Sequence, residues 1–249
     1  MILLIMLMGL LMLTTTACVP EDADPETMDT PTSIEDLTPG IAEWAITLTG
    51  GVTKGSYIIG AIWIGSLTPP MFGDTATLSV NGVDTEIWCM APGIWFGSCN
   101  ATEGADATVK FVYNGTTKTD TSIKMVNVIT DSNFPATYNP ALAANISWTL
   151  PADNQHQVVG LSATKDSTSV DYSREIAVDA RSYTFPAHAL NNAPAGATYS
   201  LGVTDVNFKI KSKVALMSIT GAGSGDYNRS SEPESMRLMT RKLLKALTK

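Results

Sequence analysis

The residues able to do chemistry in this chain are few and stand apart from one another. There are two histidines, His156 and His188, and neither lies at a metal-ligand spacing from another histidine or a cysteine. His156 and Asp153 together resemble part of a catalytic base, but the polar turn around them favours a solvated loop histidine. The sequence therefore predicts no metal site and no cofactor.

Catalytic motifs do not occur in the sequence. There is no Gly-x-Ser-x-Gly elbow, no Walker phosphate loop and no dinucleotide-binding glycine pattern followed by a helix. The glycine-rich run 221–228 precedes a polar stretch that contains proline, so it is predicted to be a flexible linker. Charged residues are sparse in the body of the chain, which leaves few candidates for paired acid and base carboxylates. We expect a protein that is not an enzyme.

The N-terminal residues predict a signal peptide over residues 1–17. Residues 2–13 are apolar apart from Gly9. At ~1.5 Å per helical residue this run reaches about 18 Å, well short of the ~30 Å hydrocarbon core of a bilayer. Small residues and a single cysteine, Cys18, end the apolar run. This length and this ending are typical of an export signal rather than of a transmembrane helix.

The stretch "TTAC" at residues 15–18 resembles the lipobox of bacterial lipoproteins. Small Thr16 and Ala17 match the family pattern, and Cys18 matches its lipidated residue. The resemblance implies cleavage before Cys18, a diacylglyceryl group with fatty-acid chains such as palmitate on its sulfur, and a location in the bacterial cell envelope. Val19, which stands where inner-membrane lipoproteins carry aspartate, implies the outer membrane. The alternative is an ordinary secreted protein whose cysteine falls at this position by chance.

Residues 19–40 are predicted to form a disordered acidic tether behind Cys18. They include seven acidic residues and no basic one. Low hydrophobicity, like charge and repeated proline leave too little apolar surface to offset the entropy of ordering. At ~3.3–3.6 Å per residue the tether spans up to roughly 70 Å. Much of the formal net charge of −8 lies here, and the body has no basic patch, so the sequence argues against nucleic-acid binding.

The other two cysteines are candidates for a disulfide bond. Lipidation of Cys18 leaves Cys89 and Cys99, which can pair in an oxidising compartment. A tight turn at residues 91–93 opposes Cys89 to Trp95 and leaves Cys99 out of register, so the bond requires a looser turn. The disulfide is the favoured prediction, and free thiols are the alternative.

The body of the chain is predicted to be all-β. Residues 44–220 are rich in threonine, valine, isoleucine and serine, with turn signals at short intervals and no long helical period. The length suits two β-sandwich domains, at 41–129 and 130–220. Asn81-Gly82 and Asn114-Gly115 are predicted to form type I′ hairpin turns. The predicted strands of the first domain are 44–49, 56–65, 76–80, 85–90, 94–99, 107–113 and 122–129.

Two stretches of the second domain resemble a fibronectin type III domain. "NISWTLPADNQHQVVGLSAT" (145–164) is similar to the B and C strands of that family, and "SYTFPAHALNNAPAGATYSLGVTDVN" (182–207) is similar to its E–F region. The resemblance implies a sandwich in which Tyr199 is the tyrosine corner, with its hydroxyl bonded to upstream backbone. The predicted architecture is two tandem immunoglobulin or fibronectin III-like β-sandwiches. Fold alone does not assign a function.

Two tryptophans are candidates for ligand contact. Trp88 and Trp95 flank the turn at residues 91–93. On an exposed sheet such rings stack on sugars or form a contact centre for another protein. Filling the core of a small sandwich is the alternative for each ring. We expect at least one of the two to be exposed.

The C-terminal residues 221–249 are predicted to be a linker and a basic amphipathic helix. Ser231 and Glu234 have capping-box spacing. One face of the helix carries Met236, Met239, Leu243, Ala246 and Leu247, and the other carries Arg237, Arg241, Lys242, Lys245 and Lys249. Such a helix docks on anionic lipid or on a partner protein. Packing of the helix on its own domain is the alternative.

Together these features predict a membrane-anchored envelope lipoprotein with a non-catalytic binding or scaffolding role. Adhesion, glycan contact and protein contact all fit that role. The alternative is an envelope hydrolase, or an accessory subunit of an enzyme complex, with an unrecognised site. The sequence leaves the ligand and the oligomeric state open.

Overall fold

The computed structural model describes residues 42–50, 55–65, 69–135, 138–166, 168–190 and 192–224. These residues form β-strands joined by turns and loops, so the predicted all-β class is confirmed. The signal peptide, Cys18, the acidic tether and the C-terminal helix lie outside the described residues. Within the described ranges, no helix has the length and apolarity needed to cross a membrane.

Fifteen strands run along the described residues. The first eight are β1 Trp44–Gly50, β2 Ser56–Trp63, β3 Ala76–Val80, β4 Val83–Thr85, β5 Ile87–Ala91, β6 Ile94–Asn100, β7 Asp106–Tyr113 and β8 Thr116–Lys124. The other seven are β9 Asp131–Asn133, β10 Ala144–Thr149, β11 His156–Lys165, β12 Thr168–Ile176, β13 Ser182–Phe185, β14 Thr198–Lys211 and β15 Val214–Ser224. Gly221–Ser224, predicted as linker, therefore continue β15.

The strands form one large sheet and two smaller ones. The large sheet has eight strands in the order β12-β11-β14-β15-β1-β2-β6-β5. A four-stranded sheet has the order β4-β3-β7-β8, and a three-stranded sheet has the order β13-β10-β9. Two sandwiches result, because each smaller sheet packs on a different part of the large one.

Both smaller sheets lie on the same face of the large sheet. Side chains alternate along a strand, so Leu201, Asn207 and Lys209 of β14 point the same way. Leu201 belongs to the core of the second sandwich. Asn207 Nδ2 donates to the Lys124 carbonyl at 3.0 Å, and Lys209 Nζ donates to the Ser122 carbonyl at 3.2 Å, both on β8. The four-stranded and three-stranded sheets therefore stand side by side.

A cluster of aromatic rings forms part of the core of the first sandwich. The ring of Trp44 on β1 lies 4.9 Å from that of Phe111 and 5.1 Å from that of Trp63, centroid to centroid. Trp95 and Tyr113 lie 5.7 and 5.0 Å from the same ring. The aliphatic part of the core includes Ile46, Leu48, Ile59, Leu78, Val109, Val214 and Leu216.

The second sandwich buries its own apolar core. Trp148 and Ile146 on β10 face Leu161 on β11 and Leu201 on β14. Tyr199, Leu201 and Val203 share the core face of β14, as the alternation of side chains along a strand requires. The Tyr199 ring contacts Tyr138 at 5.0 Å between centroids.

The last strand of the chain completes the first sandwich. β15 pairs in parallel with β1, with Trp44 opposite Val214 and Thr49 opposite Ile219. β14 and β15 are long enough to pair along both sandwiches, so the sheet crosses the predicted boundary at 129/130 without a break. The two-domain division stays a prediction, and the strands of its two halves share one hydrogen-bonded sheet.

The connection between the two smaller sheets is buried over its first half, residues 125–127. The predicted strand 122–129 is wrong in its second half, because β8 ends at Lys124. The Val126 N–H donates to Ser218 Oγ at 3.1 Å. Asn127 and Asn154 bond reciprocally: the Asn127 N–H donates to Asn154 Oδ1 at 2.8 Å, and Asn154 Nδ2 donates to the Asn127 carbonyl at 3.1 Å. Backbone groups that a strand partner would satisfy are satisfied here by side chains.

The two asparagine–glycine turns match their prediction. Asn81 and Gly82 have φ of 53° and 76°, and Asn114 and Gly115 have φ of 48° and 73°. Positive φ at both central residues is what a type I′ hairpin turn requires. The predicted strand 85–90 is two strands, because β4 belongs to the four-stranded sheet and β5 to the large one.

Candidate binding surface

Trp88 and Trp95 have opposite environments. Trp88 lies on β5, the edge strand of the large sheet, and is 56% exposed. Trp95 is 3% exposed and packs in the aromatic core beside Trp44. Trp95 therefore fills the core, the alternative interpretation of its ring, and Trp88 alone of the pair faces solvent.

Further large apolar side chains are exposed near this edge. Phe72 is 79% exposed, and Met71 and Met90 are also exposed. The loop 69–75 lies against the tip of the β5–β6 hairpin, since a Cβ built on Gly93 would come within 3.2 Å of the Pro70 ring. We call Met71, Phe72, Trp88 and Met90 the apolar edge.

Hydrogen bonds hold the loop that carries Met71 and Phe72. The Met71 N–H donates to Asp74 Oδ2 at 2.6 Å, and the Asp74 N–H donates back to the Met71 carbonyl at 3.3 Å. Asn114 Nδ2 donates to Asp74 Oδ1 at 2.9 Å, and the Tyr113 hydroxyl donates to Asp74 Oδ2. The loop is thus fixed to the β7–β8 turn.

These hydrogen bonds also change two pKa values. They hold the pKa of the Asp74 carboxyl below its usual value, with the Tyr113 hydroxyl as the largest cause. Burial raises the pKa of Tyr113 to about 12, and its hydrogen bond to Asp74 adds to the effect. The Tyr113 ring lies 5.0 Å from Trp44 and 5.8 Å from Trp95. The exposed loop is therefore connected to the core through one tyrosine.

Sequence reasoning missed Met71 and Phe72. The signal was present in "PPMFGDT" (69–75), where two large apolar residues stand inside a proline, glycine and aspartate turn. Large apolar side chains in such a turn are expected to face solvent, because turns lie on the surface. The contact between Asp74 and Asn114 joins residues 40 positions apart and has no local pattern.

The predicted disulfide between Cys89 and Cys99 is wrong, because both thiols are free. Cys89 lies opposite Trp95, while Cys99 lies opposite Tyr57 on β2. The four positions from Trp95 to Cys99 span about 14 Å at ~3.4 Å per residue, too far for a disulfide. Burial raises the pKa of the Cys99 thiol to about 11, while Cys89 is exposed.

His156 is not the solvated loop histidine that the sequence indicated. It begins β11, is 5% exposed and stacks on Phe208 with 4.9 Å between ring centroids. Its Nδ1 lies 2.7 Å from Glu175 Oε1. Asp153, the carboxylate considered as a partner for this histidine, forms an ion pair with Arg181 at 2.5 Å.

His188 lies apart from His156, on the surface. It is exposed in the turn after β13 and has φ of 59°. In the described part of the chain, no cluster of three or more histidine, cysteine, aspartate or glutamate side chains is arranged to hold a metal ion.

A buried carboxyl lies far along the chain from the apolar edge. Asp205 on β14 is fully buried and accepts a hydrogen bond from Gln157 Nε2 at 3.0 Å. Loss of solvent raises its pKa to about 6, against the opposing effect of hydrogen bonds from Gln157 and Asn154. The Asp205 side chain does not reach an exposed surface, so we assign it a structural role and no role in binding.

Comparison with known proteins gives only distant similarity. No protein-family model matches the chain, and no curated protein matches it by sequence. The adhesin InvE of Yersinia pseudotuberculosis matches over 72% of this chain with 11% identity and a TM-score of 0.26. This chain spans 57% of the length of that adhesin structure.

Two solved structures with fibronectin type III domains are similar at the same level. The FN1–FN3 domains of chicken CNTN1 match over 76% of this chain and 68% of their own, with 11% identity and a TM-score of 0.25. The central fibronectin-III array of RIM-binding protein matches over 74% and 69%, with 15% identity and a TM-score of 0.23. The fold described above rests on the strands of this chain alone.

Proposed function

We propose that this chain is a lipid-anchored protein of the bacterial cell envelope that binds a partner protein through the apolar edge. One observation carries the binding role: the exposed Phe72 sits on a loop fixed by the bonds from Tyr113 and Asn114 to Asp74. A fixed loop loses little conformational entropy on binding, so its exposed apolar area contributes fully to affinity. Such a contact fits a role in adhesion and a role in scaffolding.

The composition of the apolar edge favours a protein over a glycan. Two of its four members are methionines, whose flexible thioether chains suit an apolar protein surface. Glycan sites pair an aromatic platform with placed hydrogen-bonding groups. The Asp74 oxygens, the polar groups closest to Phe72 along the chain, are already bonded within the loop.

Photo-crosslinking in intact cells tests the binding role. A photoreactive phenylalanine replaces Phe72, and a matched one replaces Leu142, which is 61% exposed on the second sandwich. The proposal predicts a discrete protein adduct from position 72 that falls at least tenfold when Trp88→Ala is added. Identical adducts from both positions, or adducts unaffected by Trp88→Ala, contradict it.

The lipid anchor is supported by "TTAC" at 15–18 and by the acidic tether behind it. Cys18 carries the lipid, Val19 directs the protein to the outer membrane, and residues 19–40 hold the two sandwiches away from the bilayer. Metabolic labelling with a palmitate analogue tests this, comparing the native protein with Cys18→Ala. Label in the native protein alone is the expected result, and equal label in both contradicts the anchor.

The hydrolase alternative gains no support from His156. Its contact with Glu175 resembles a histidine–carboxylate pair, but the ring is 5% exposed and lies flat on Phe208. A substrate needs a cleft beside the base, and the base must reach the reacting proton. Binding therefore remains the proposed role.

A further inference from the structure

The large sheet has a second face, opposite the two smaller sheets. On β14 and β15, the residues that alternate with the core residues point to this side. We call it the outer face. Its apolar centre is made by seven buried strand residues: Ala45, Val158, Val206, Phe208, Ala215, Met217 and Ile219. Ala42, just before β1, belongs to the same cluster.

The apolar centre of the outer face is buried. Each of its seven residues is at most 2% exposed. The described strands lie either in the large sheet or on its other side, so none of them packs over this face. A sheet face left in water would expose these alternate side chains. The burial therefore points to a covering segment.

Part of the outer face is a floor of small residues. Gly160 lies opposite Gly202, and Gly202 lies opposite Gly223 on the next strand. Ser162 beside them is 1% exposed, and its hydroxyl lies 2.9 Å from that of Ser200. Glycine in neighbouring strands is typical of a place where another backbone approaches closely.

We propose that residues 231–249 form an amphipathic helix that docks on the outer face through Met236, Met239, Leu243 and Leu247. A helix of this length extends about 28 Å at ~1.5 Å per residue. β15 ends at Ser224 on the same sheet, so the six residues 225–230 connect strand and helix. Connections of ~2–6 residues between strand and helix are common.

The charges of the outer face favour residues 231–249 over the acidic tether as the covering segment. The charged side chains of β12 on the outer face are Asp171, opposite Ser162, and Glu175, opposite Val158. His156 lies beside Glu175. The segment 231–249 carries Arg237, Arg241, Lys242, Lys245 and Lys249, whereas residues 19–40 carry seven acidic groups and no basic one. The acidic tether would be repelled where the basic helix is attracted.

The docked helix changes how the C-terminal segment meets other molecules. Its apolar face is occupied by the sheet, and only the basic face remains exposed. The helix therefore does not insert into a bilayer through its leucines and methionines. It is a third layer of the fold, independent of the lipid anchor.

Thiol accessibility tests the docking. The full chain carries Cys18→Ala and Cys89→Ser, so that the buried Cys99 is the only native thiol left. Ser162→Cys then reports on the outer face, and Ser98→Cys is the matched control, since Ser98 is exposed near the far edge of the same face. Maleimide labelling of Ser162→Cys is expected to be at least tenfold slower than in a chain ending at 224. Ser98→Cys is expected to label equally in both.

A pair of point variants keeps the test independent of truncation. Leu243 lies on the apolar side of the helix and Leu238 on the opposite side. Leu243→Asp is expected to unmask Ser162→Cys in the full chain, and Leu238→Asp to leave it protected. Equal labelling of full and shortened chains overturns the proposal. So does protection that is lost only when residues 19–41 are removed, or that appears only at high protein concentration.

Discussion

At the scale of single residues, the buried carboxyl of Asp205 determines how pH acts on this fold. Its pKa is raised from 3.8 to about 6 because burial removes its solvent. A raised folded-state pKa means that the folded chain holds the proton more tightly than the unfolded chain. The resulting stability is fully present below the ordinary pKa and is lost as the pH rises through about 6.

Asp205→Asn is therefore expected to stabilise the protein at pH 7, by roughly 2 kcal/mol. The amide cannot ionise, and it brings a donor to a region where Asp205 Oδ2 and Gln157 Oε1 have no hydrogen-bond partner among the described residues. Urea unfolding at pH 4.5 and pH 7 measures the effect. The gain should be clearly smaller at pH 4.5, which lies between the ordinary pKa of 3.8 and the raised one of about 6. It should be absent from Asp131→Asn, a change at an exposed position. Equal gains at both pH values contradict this account.

The two thiols Cys89 and Cys99 should react very differently. Cys89 is exposed, and Cys99 is buried with a pKa of about 11, so little thiolate forms there at neutral pH. In a Cys18→Ala chain, a disulfide reagent such as Ellman's is expected to titrate one thiol in the native state and two in guanidinium. No reactive thiol before reduction, with a mass two daltons lower, would show the disulfide instead.

Trp88 and Trp95 illustrate what a sequence can say of a single residue. Their types and the turn between them were enough to predict that one ring would be exposed, because neighbouring strands of a hairpin present defined faces. Which ring is exposed depends on the partner sheet. Trp95 faces the core because β1 brings Trp44 against it, 51 residues earlier in the chain. No local pattern carries that information.

At the scale of elements, the fixed loop 69–75 is expected to control binding. Asp74→Ala removes the acceptor for Met71, Tyr113 and Asn114, so the loop gains conformational freedom that binding must then remove. The yield of the crosslinked adduct from position 72 should fall about tenfold. Asp84→Ala, at an exposed position beside the next turn, is the control and should have no effect. An unchanged adduct yield in Asp74→Ala would contradict this prediction, because binding would then not depend on the rigidity of the loop.

The crossing of the chain from β4 to β5 depends on Gly97. A Cβ there would lie 2.3 Å from the Glu86 carbonyl oxygen and 2.8 Å from the Ile87 side chain, and Ile87 is held in place by its pairing with Gly97. Gly97→Ala should therefore destabilise the protein by about 2–3 kcal/mol, a cost typical of a forced backbone shift. Gly50→Ala is the matched control, because its nearest neighbours lie at 3.5 Å. Urea unfolding that finds the two variants equally stable contradicts the crossing.

Most strands were predictable from the sequence, and the pairing of distant strands was not. β1, β3, β6 and β7 match their predicted bounds to within one residue, because alternation and turn residues are local signals. The strand predicted at 122–129 extended too far. Met125 and Val126 are apolar because they are buried in a loop, and the sequence pattern did not distinguish that from a strand. The parallel pair of β1 and β15 joins residues 170 positions apart, and the sequence has no mark for it.

At the scale of the whole molecule, the two sandwiches are one body built on one sheet. β14 and β15 supply strands to both, and Val214 and Leu216 of the last strand fill the first core. The loop between the smaller sheets is bonded at Asn127 and Val126. One body holds the apolar edge at a fixed position relative to the second sandwich.

Differential scanning calorimetry of the Cys18→Ala chain tests this central claim, that the two sandwiches are one body, most directly. Val109→Ala weakens the first core and Ile146→Ala the second. The account predicts one transition, with equal calorimetric and van't Hoff enthalpies, that either variant lowers as a whole by roughly 2–4 °C for each kcal/mol lost. Two separate transitions, with each variant lowering only one, would contradict the single body and support two independent domains.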